Sequence, residues 1–230
     1  MMPTTLTCEQ TRKVDQAAVQ RFGFSGLMLM ENAGRGFVDR LCHLGIHGPV
    51  VICCGKGNNA GDGFVIARHL DLRGYEARVL LWSEPEQLQG DAATNFQILA
   101  QTGTPIEVFG DRHDPRRLAV YLDEAAWIVD ALLGTGAKGD PRPPLDAVID
   151  QLNNSGAPIM AVDLPSGLDA DTGKASLHTI SATQTCTFLA AKPGFYTPDA
   201  WQHTGEVFIA DIGIPPSIVQ QILGEDRAEG

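Results

Sequence analysis

Short apolar runs alternate along the chain with stretches whose apolar residues recur at helical spacing. The runs lie at 50–54, 77–82, 105–109, 127–131, 159–163, 185–191 and 207–212. They are brief and mostly rich in Val, Ile and Leu, as strands buried on both faces are. Between them the spacing predicts helices over 61–73, 85–100, 114–122 and 144–153, and a short one over 216–223. Two more helices precede the first strand. Thr7 and Gln10 are placed as a capping box for a helix to about Phe22, and after Gly23 a second starts near Ser25 and covers 27–44. The last residues, 224–230, read as a frayed tail.

Strands alternating with helices of this length predict an α/β fold, a three-layer α/β/α sandwich on a mainly parallel, Rossmann-like sheet. Right-handed crossovers put every strand-to-helix turn at one edge of that sheet, where ligands of such folds bind. No repeat or linker divides the sequence, so residues 1–230 read as one domain with an ordered core over about 6–223. Composition agrees, with 43% hydrophobic and 20% charged residues in 230. The formal net charge of −11 repels nucleic acid and anionic membranes, and neither is an expected partner. No run approaches the ~18 apolar residues of a membrane span. The N-terminus carries no signal-peptide pattern, and the five cysteines have no C-x-x-C spacing. Both features fit free thiols in a reduced, cytoplasmic protein, with adjacent Cys53 and Cys54 facing opposite sides of a strand.

Three strand ends carry the candidate chemistry. The first runs into Gly55-Lys56-Gly57-Asn58-Asn59-Ala60-Gly61-Asp62-Gly63. Gly55, Gly57 and Ala60 satisfy the loose dinucleotide fingerprint, and backbone N–H groups at such a turn suit phosphate. Asp62 reads either as a helix cap or solvated first-turn acid, or as a site group. A dehydrogenase would place an acid at the end of the next strand, and Glu84 meets that position only approximately. The second strand delivers Asp130, followed by a loop with Gly134, Gly136, Lys138, Gly139 and Asp140. Lys138 supplies either a charge for phosphate or a proton for chemistry, or is simply solvated. The third delivers Asp163, then Pro165-Ser166-Gly167. Carboxylates, amide and hydroxyl oxygens at one edge suit a hard cation, and many neutral oxygens favour a monovalent one. Glu31, Asn32 and Lys192 are weaker candidates, open to structural roles. The six histidines form no cluster with metal-ligand spacing.

At these motifs the chain resembles the NAD(P)H-hydrate epimerase family, also called the YjeF N-terminal domain. The likeness runs from about residue 6 to 216, through 29–34, 55–68, 129–140 and 162–173 in the family's order. It implies an isomerase that interconverts the R and S forms of hydrated NADH and NADPH (NADHX and NADPHX), so that an S-specific dehydratase can repair them. It implies contacts to the hydrated dinucleotide from Asn58, Asn59, Ala60, Gly61 and Asp62, from Gly134, Thr135, Gly136, Ala137, Lys138, Gly139 and Asp140, and from Asp163. It also implies a potassium ion (K+) held by Asn59, Asp130 and Ser166, and a homodimer formed through the N-terminal helices. Either ring opening or loss of water inverts the altered carbon, and Asp163 and Lys138 are expected to share the proton transfers.

One departure stands out. The family commonly has glycine where this chain has Ala60, a costly change only if that residue takes a left-handed backbone. Bacterial members are often fused to a kinase-like dehydratase domain, and this sequence stops where that linker would begin. The competing readings are a non-catalytic nucleotide-binding or interaction module of the same fold, and a plain oxidoreductase. The retained Asp130, Asp163 and Lys138 weigh against the first, and the lack of a hydride-transfer dyad weighs against the second.

Overall fold

In the computed structural model, residues 5–225 are described. Two helices, α1 (Cys8–Phe22) and α2 (Gly26–Leu44), lead into β1 (Val50–Cys54), α3 (Asn58–Leu72), β2 (Ala77–Leu81), α4 (Gly90–Leu99) and β3 (Ile106–Val108). The chain continues through α5 (Pro115–Leu122), β4 (Trp127–Ala131), α6 (Leu145–Asn153), β5 (Ile159–Val162) and β6 (Gln184–Phe188). It closes with α7 (Pro198–Thr204), β7 (Glu206–Ala210) and α8 (Pro216–Glu225). All seven strands join one parallel sheet in the order β3-β2-β1-β4-β5-β6-β7.

The period-two alternation of each strand divides the core into two layers. Ile52, Cys54, Val79, Leu81 and Val129 face Phe37 of α2 and Phe64 and Ile66 of α3. Val51, Cys53, Leu80 and Ile128 face Leu118 of α5 and Val148, Ile149 and Leu152 of α6. Adjacent Cys53 and Cys54 thus point to opposite faces. β1 and β4, at the centre, are buried at every position. A third cluster packs Val14 and Ala18 of α1 against Val219 and Ile222 of α8, beyond the β6–β7 side of the sheet. Thr7 and Gln10 form the expected capping box, and Ser25 caps α2. The segment before α1 is tied in as well. Leu6 N–H donates to the Ala191 carbonyl at 2.9 Å, next to an isolated parallel bridge between Thr5 and Ala191.

Several boundaries differ from the sequence pattern for local backbone reasons. α3 starts at Asn58 rather than 61, so both asparagines lie in its first turn. The helix expected over 85–100 is a 3-10 turn at Pro85–Gln87 followed by α4, because Gln89 is extended and Gly90 takes φ +56°. β5 ends one residue early, as Asp163 turns to φ +65°, and β6 ends at Phe188, before Leu189 at φ +67°. β7 spans 206–210 rather than 207–212. Residues 224 and 225, expected to fray, belong to α8, and 226–230 lie outside the described residues.

Candidate functional site

β1, β4 and β5 are neighbours in the sheet, so their carboxyl ends meet. The β1 turn passes close against the β4 turn. A Cβ on Gly55 would lie 2.1 Å from the Leu132 carbonyl oxygen, so glycine is required there. Gly57 precedes α3, its carbonyl accepting Ala60 N–H at 3.0 Å. No side chain caps this helix, which leaves first-turn N–H groups for a ligand anion. Ala60 has no positive φ and is buried in α3, so alanine carries no backbone penalty.

Asp130 is 0% exposed at the end of β4. Its Oδ1 accepts from Ser166 Oγ at 2.6 Å, and its Oδ2 accepts from Ser166 N–H at 2.7 Å. Ser166 Oγ in turn accepts Leu133 N–H at 2.9 Å, and Asn59 Nδ2 donates to the Leu133 carbonyl at 3.0 Å. The fold therefore gathers Asn59, Asp130 and Ser166 around the Leu133 peptide, with Asp130 and Ser166 bonded to each other and Asn59 turning its amide nitrogen to the Leu133 carbonyl. Burial pushes the Asp130 carboxyl up to about 6, against the lowering effect of its hydrogen bonds. Those bonds come from neutral donors. A buried carboxylate beside a hydroxyl and a backbone carbonyl oxygen suits a weakly charged, oxygen-seeking cation. The described residues include no cluster of three His, Cys, Asp or Glu that could hold a metal ion.

Asp163, one strand over, stands in the left-handed region that few non-glycine residues occupy. Its Oδ1 accepts from Thr187 Oγ1 at 3.0 Å, Phe188 N–H at 3.2 Å and Lys192 Nζ at 3.0 Å. Lys192 is 0% exposed, and its ammonium also donates to Thr187 Oγ1 and to the carbonyls of Phe188 and Ala190. All these contacts fall on Oδ1, so Oδ2 is left for a ligand. Asp163 lines a cavity of about 1140 Å³ above the strand ends.

The same cavity brings together Asn58, Asn59, Asp62 and the loop from Gly134 to Asp140. Ala60 and Gly61, expected to touch ligand, instead pack beneath it. A Cβ on Gly61 would lie 2.7 Å from Met30 Sδ. Lys138 sits on the exposed rim of the loop, while the lysine bonded to Asp163 is Lys192. Asp62 is half-buried, and its carboxyl is pushed well above the usual range by burial and by the charges of Asp163 and Asp15. Asp15 of α1 also lines the cavity and is pushed up to about 6, by burial first and then by Asp163, with Lys192 opposing. Glu31 pairs with Arg68 and His69, and Asn32 donates to the Ile212 carbonyl at 2.9 Å, so both hold the fold together. The strand before Lys192 gave a weak signal for that residue. Asp15 gave none, because an acid on an amphipathic helix reads as its solvated face.

Comparison with known proteins covers the whole region. The family model described as YjeF-related protein N-terminus matches residues 26–194. An NAD(P)H-hydrate epimerase of Pirellula staleyi is 42% identical over 93% of this chain and 94% of its own length. One of Rhodopirellula baltica is 42% identical over 94% of this chain and 87% of its own. The chain is 39% identical to a bifunctional NAD(P)H-hydrate repair enzyme of Moorella thermoacetica, of which it spans 41%. The crystal structure of a yeast protein shares the fold with a TM-score of 0.81 at 24% identity, covering 96% of this chain and 93% of the other.

Proposed function

The chain belongs to the YjeF-related protein N-terminus family, and from that premise we infer that it is an NAD(P)H-hydrate epimerase, an isomerase of nicotinamide-nucleotide repair. It interconverts the R and S forms of hydrated NADH and NADPH. The observation that carries this reading is the cavity in which Asp163, anchored on one oxygen by the buried Lys192, stands beside Asp62 and the open first turn of α3. First-turn N–H groups and the rim cation Lys138 suit the pyrophosphate. The apolar and acidic remainder suits a pyridine ring and its hydroxyl.

The altered carbon bears a hydroxyl and the ring nitrogen. Asp163 Oδ2 takes the hydroxyl proton, the carbon–nitrogen bond opens to an aldehyde, and Asp62, whose carboxyl burial and the neighbouring acids push upward, protonates the nitrogen. Reclosure on the other face returns both protons and inverts the centre. Loss and return of water uses the same pair, with Asp62 protonating the departing hydroxyl. The sequence pairs Asp163 with Lys138 in these roles. The geometry favours Asp62 as the donor, with Lys138 binding phosphate and Lys192 positioning Asp163.

Asn59, Asp130 and Ser166 would hold potassium, which supplies positive charge that orders the loops against the dinucleotide. The downstream partner is an S-specific dehydratase, and the bifunctional relatives agree with such a coupling. A homodimer through α1 and α2 completes the proposal. The deciding experiment mixes the protein with R-hydrate and an S-specific dehydratase, with and without potassium. Faster consumption of the R form is expected, with a further gain from potassium. No acceleration under either condition would overturn the reading.

A further inference from the structure

The cavity is longer than the pyridine end of a substrate needs. From Asp163 at the tip of β5 it continues past β4 and β1 to the tips of β2 and β3, where Trp82, Glu84 and Asp111 line it. Three inter-strand steps separate β5 from β2, about 14 Å in all. That is comparable with the distance between the two halves of an extended dinucleotide. Lys56, on the β1 turn, lies between the two ends.

The far end is built around carboxylates. Glu84 follows β2, and its Oε1 would lie 2.5 Å from a Cβ on Gly110, a residue at φ +62° just past β3. The glycine backbone therefore leaves room for the Glu84 carboxylate. Asp111 is the next residue on and also lines the cavity. Beneath them Trp82 is 5% exposed and stacked on Phe109 at 4.9 Å. Its indole N–H has no acceptor among the described residues, a buried donor that calls for a partner. Carboxylates at the end of the second strand of a dinucleotide fold accept hydrogen bonds from ribose hydroxyls. The same charges repel a phosphate on that ribose, with Glu84 the stronger because Asp111 is paired with Arg112 at 4.0 Å.

We propose that Glu84, backed by Asp111, binds the adenosine ribose and makes this enzyme selective for hydrated NADH over hydrated NADPH. The proposal rests on the epimerase reading and adds the choice of substrate. R-NADHX and R-NADPHX are each supplied to the wild-type protein, to Glu84→Gln and to Asp111→Asn, with S-specific dehydratase in excess. The wild type is expected to favour NADHX by about tenfold or more in kcat/KM, through KM rather than kcat. Glu84→Gln narrows that ratio severalfold, and Asp111→Asn narrows it less. A folding defect would lower both substrates together and leave the ratio standing. Binding of ADP-ribose against 2′-phospho-ADP-ribose to the wild-type protein gives a second readout, with ADP-ribose expected to be the tighter. Equal turnover of the two hydrates, or an unchanged ratio in both variants, overturns the inference. A protein inert towards both hydrates overturns the epimerase reading, and the inference with it.

Discussion

At the scale of single residues, the site turns on how Asp163 is held. Its left-handed backbone and three donors on Oδ1 fix the carboxylate before any substrate arrives. Asp163→Asn is expected to lower kcat by about 10²–10⁴-fold while still binding ligand, as coupled turnover and calorimetry would measure. Near-normal epimerisation would remove Asp163 from the chemistry. Lys192→Met leaves a carboxylate without its buried partner. We expect about 3 kcal/mol lost from folding and a fall in kcat with little change in KM, partly rescued by Lys192→Arg. Asp130 gives a pH signature. Its carboxyl rises from an ordinary 3.8 to about 6 on folding, so the native state binds the extra proton. The stability tied to that proton is present below pH 3.8 and is lost as pH rises through about 6. Without potassium, thermal melts should show that loss, and Asp130→Asn should flatten it. Potassium should raise Tm more at pH 7 than at pH 5. A pH-independent potassium effect would count against Asp130 as a ligand. These acids were legible in the sequence because each ends a hydrophobic run. Asp15 was not, since only tertiary packing turns that face of α1 towards the cavity.

At the scale of elements, the turns were harder to read than the strands. Apolar runs found all seven strands: burial on both faces leaves little freedom in the central β1 and β4, and the half-buried β3 and largely exposed β7 are marked by their β-branched and aromatic residues. Their ends depended on residues such as Asp163 and Leu189, whose positive φ no local pattern announces. The same holds for α3, which begins three residues before the expected 61. The β1 turn yields a paired test. Gly55→Ala drives a Cβ into the Leu132 carbonyl and should cost about 3 kcal/mol or more, seen as a lower denaturation midpoint and weaker epimerisation. Ala60→Gly restores the family's commoner residue, yet should cost about 0.5–1 kcal/mol and leave activity unchanged, because Ala60 is an ordinary helical position. A gain in activity on Ala60→Gly would mean that the loop changes shape when substrate binds.

At the scale of the whole molecule, one sheet edge collects chemistry from distant parts of the sequence. Asp15, Asn59, Asp130 and Asp163 come from four separate segments, and the buried Lys192 from a fifth. Parallel topology sufficed to place the three strand-borne groups at one sheet edge, and the strand order, with β1 beside β4 and β4 beside β5, brings them side by side. It could not place α1, which packs against α8 beyond the sheet and closes the cavity from outside. That arrangement has a practical consequence at the amino end. Leu6 hangs on the carbonyl of Ala191, and the next residue is the lysine that grips Asp163. An affinity handle fused ahead of Thr5 would tug on that peptide with every thermal excursion. Matched preparations carrying the handle at opposite ends should differ in turnover, with the amino-terminal version the slower. Protease trimming of that handle should bring the two rates together.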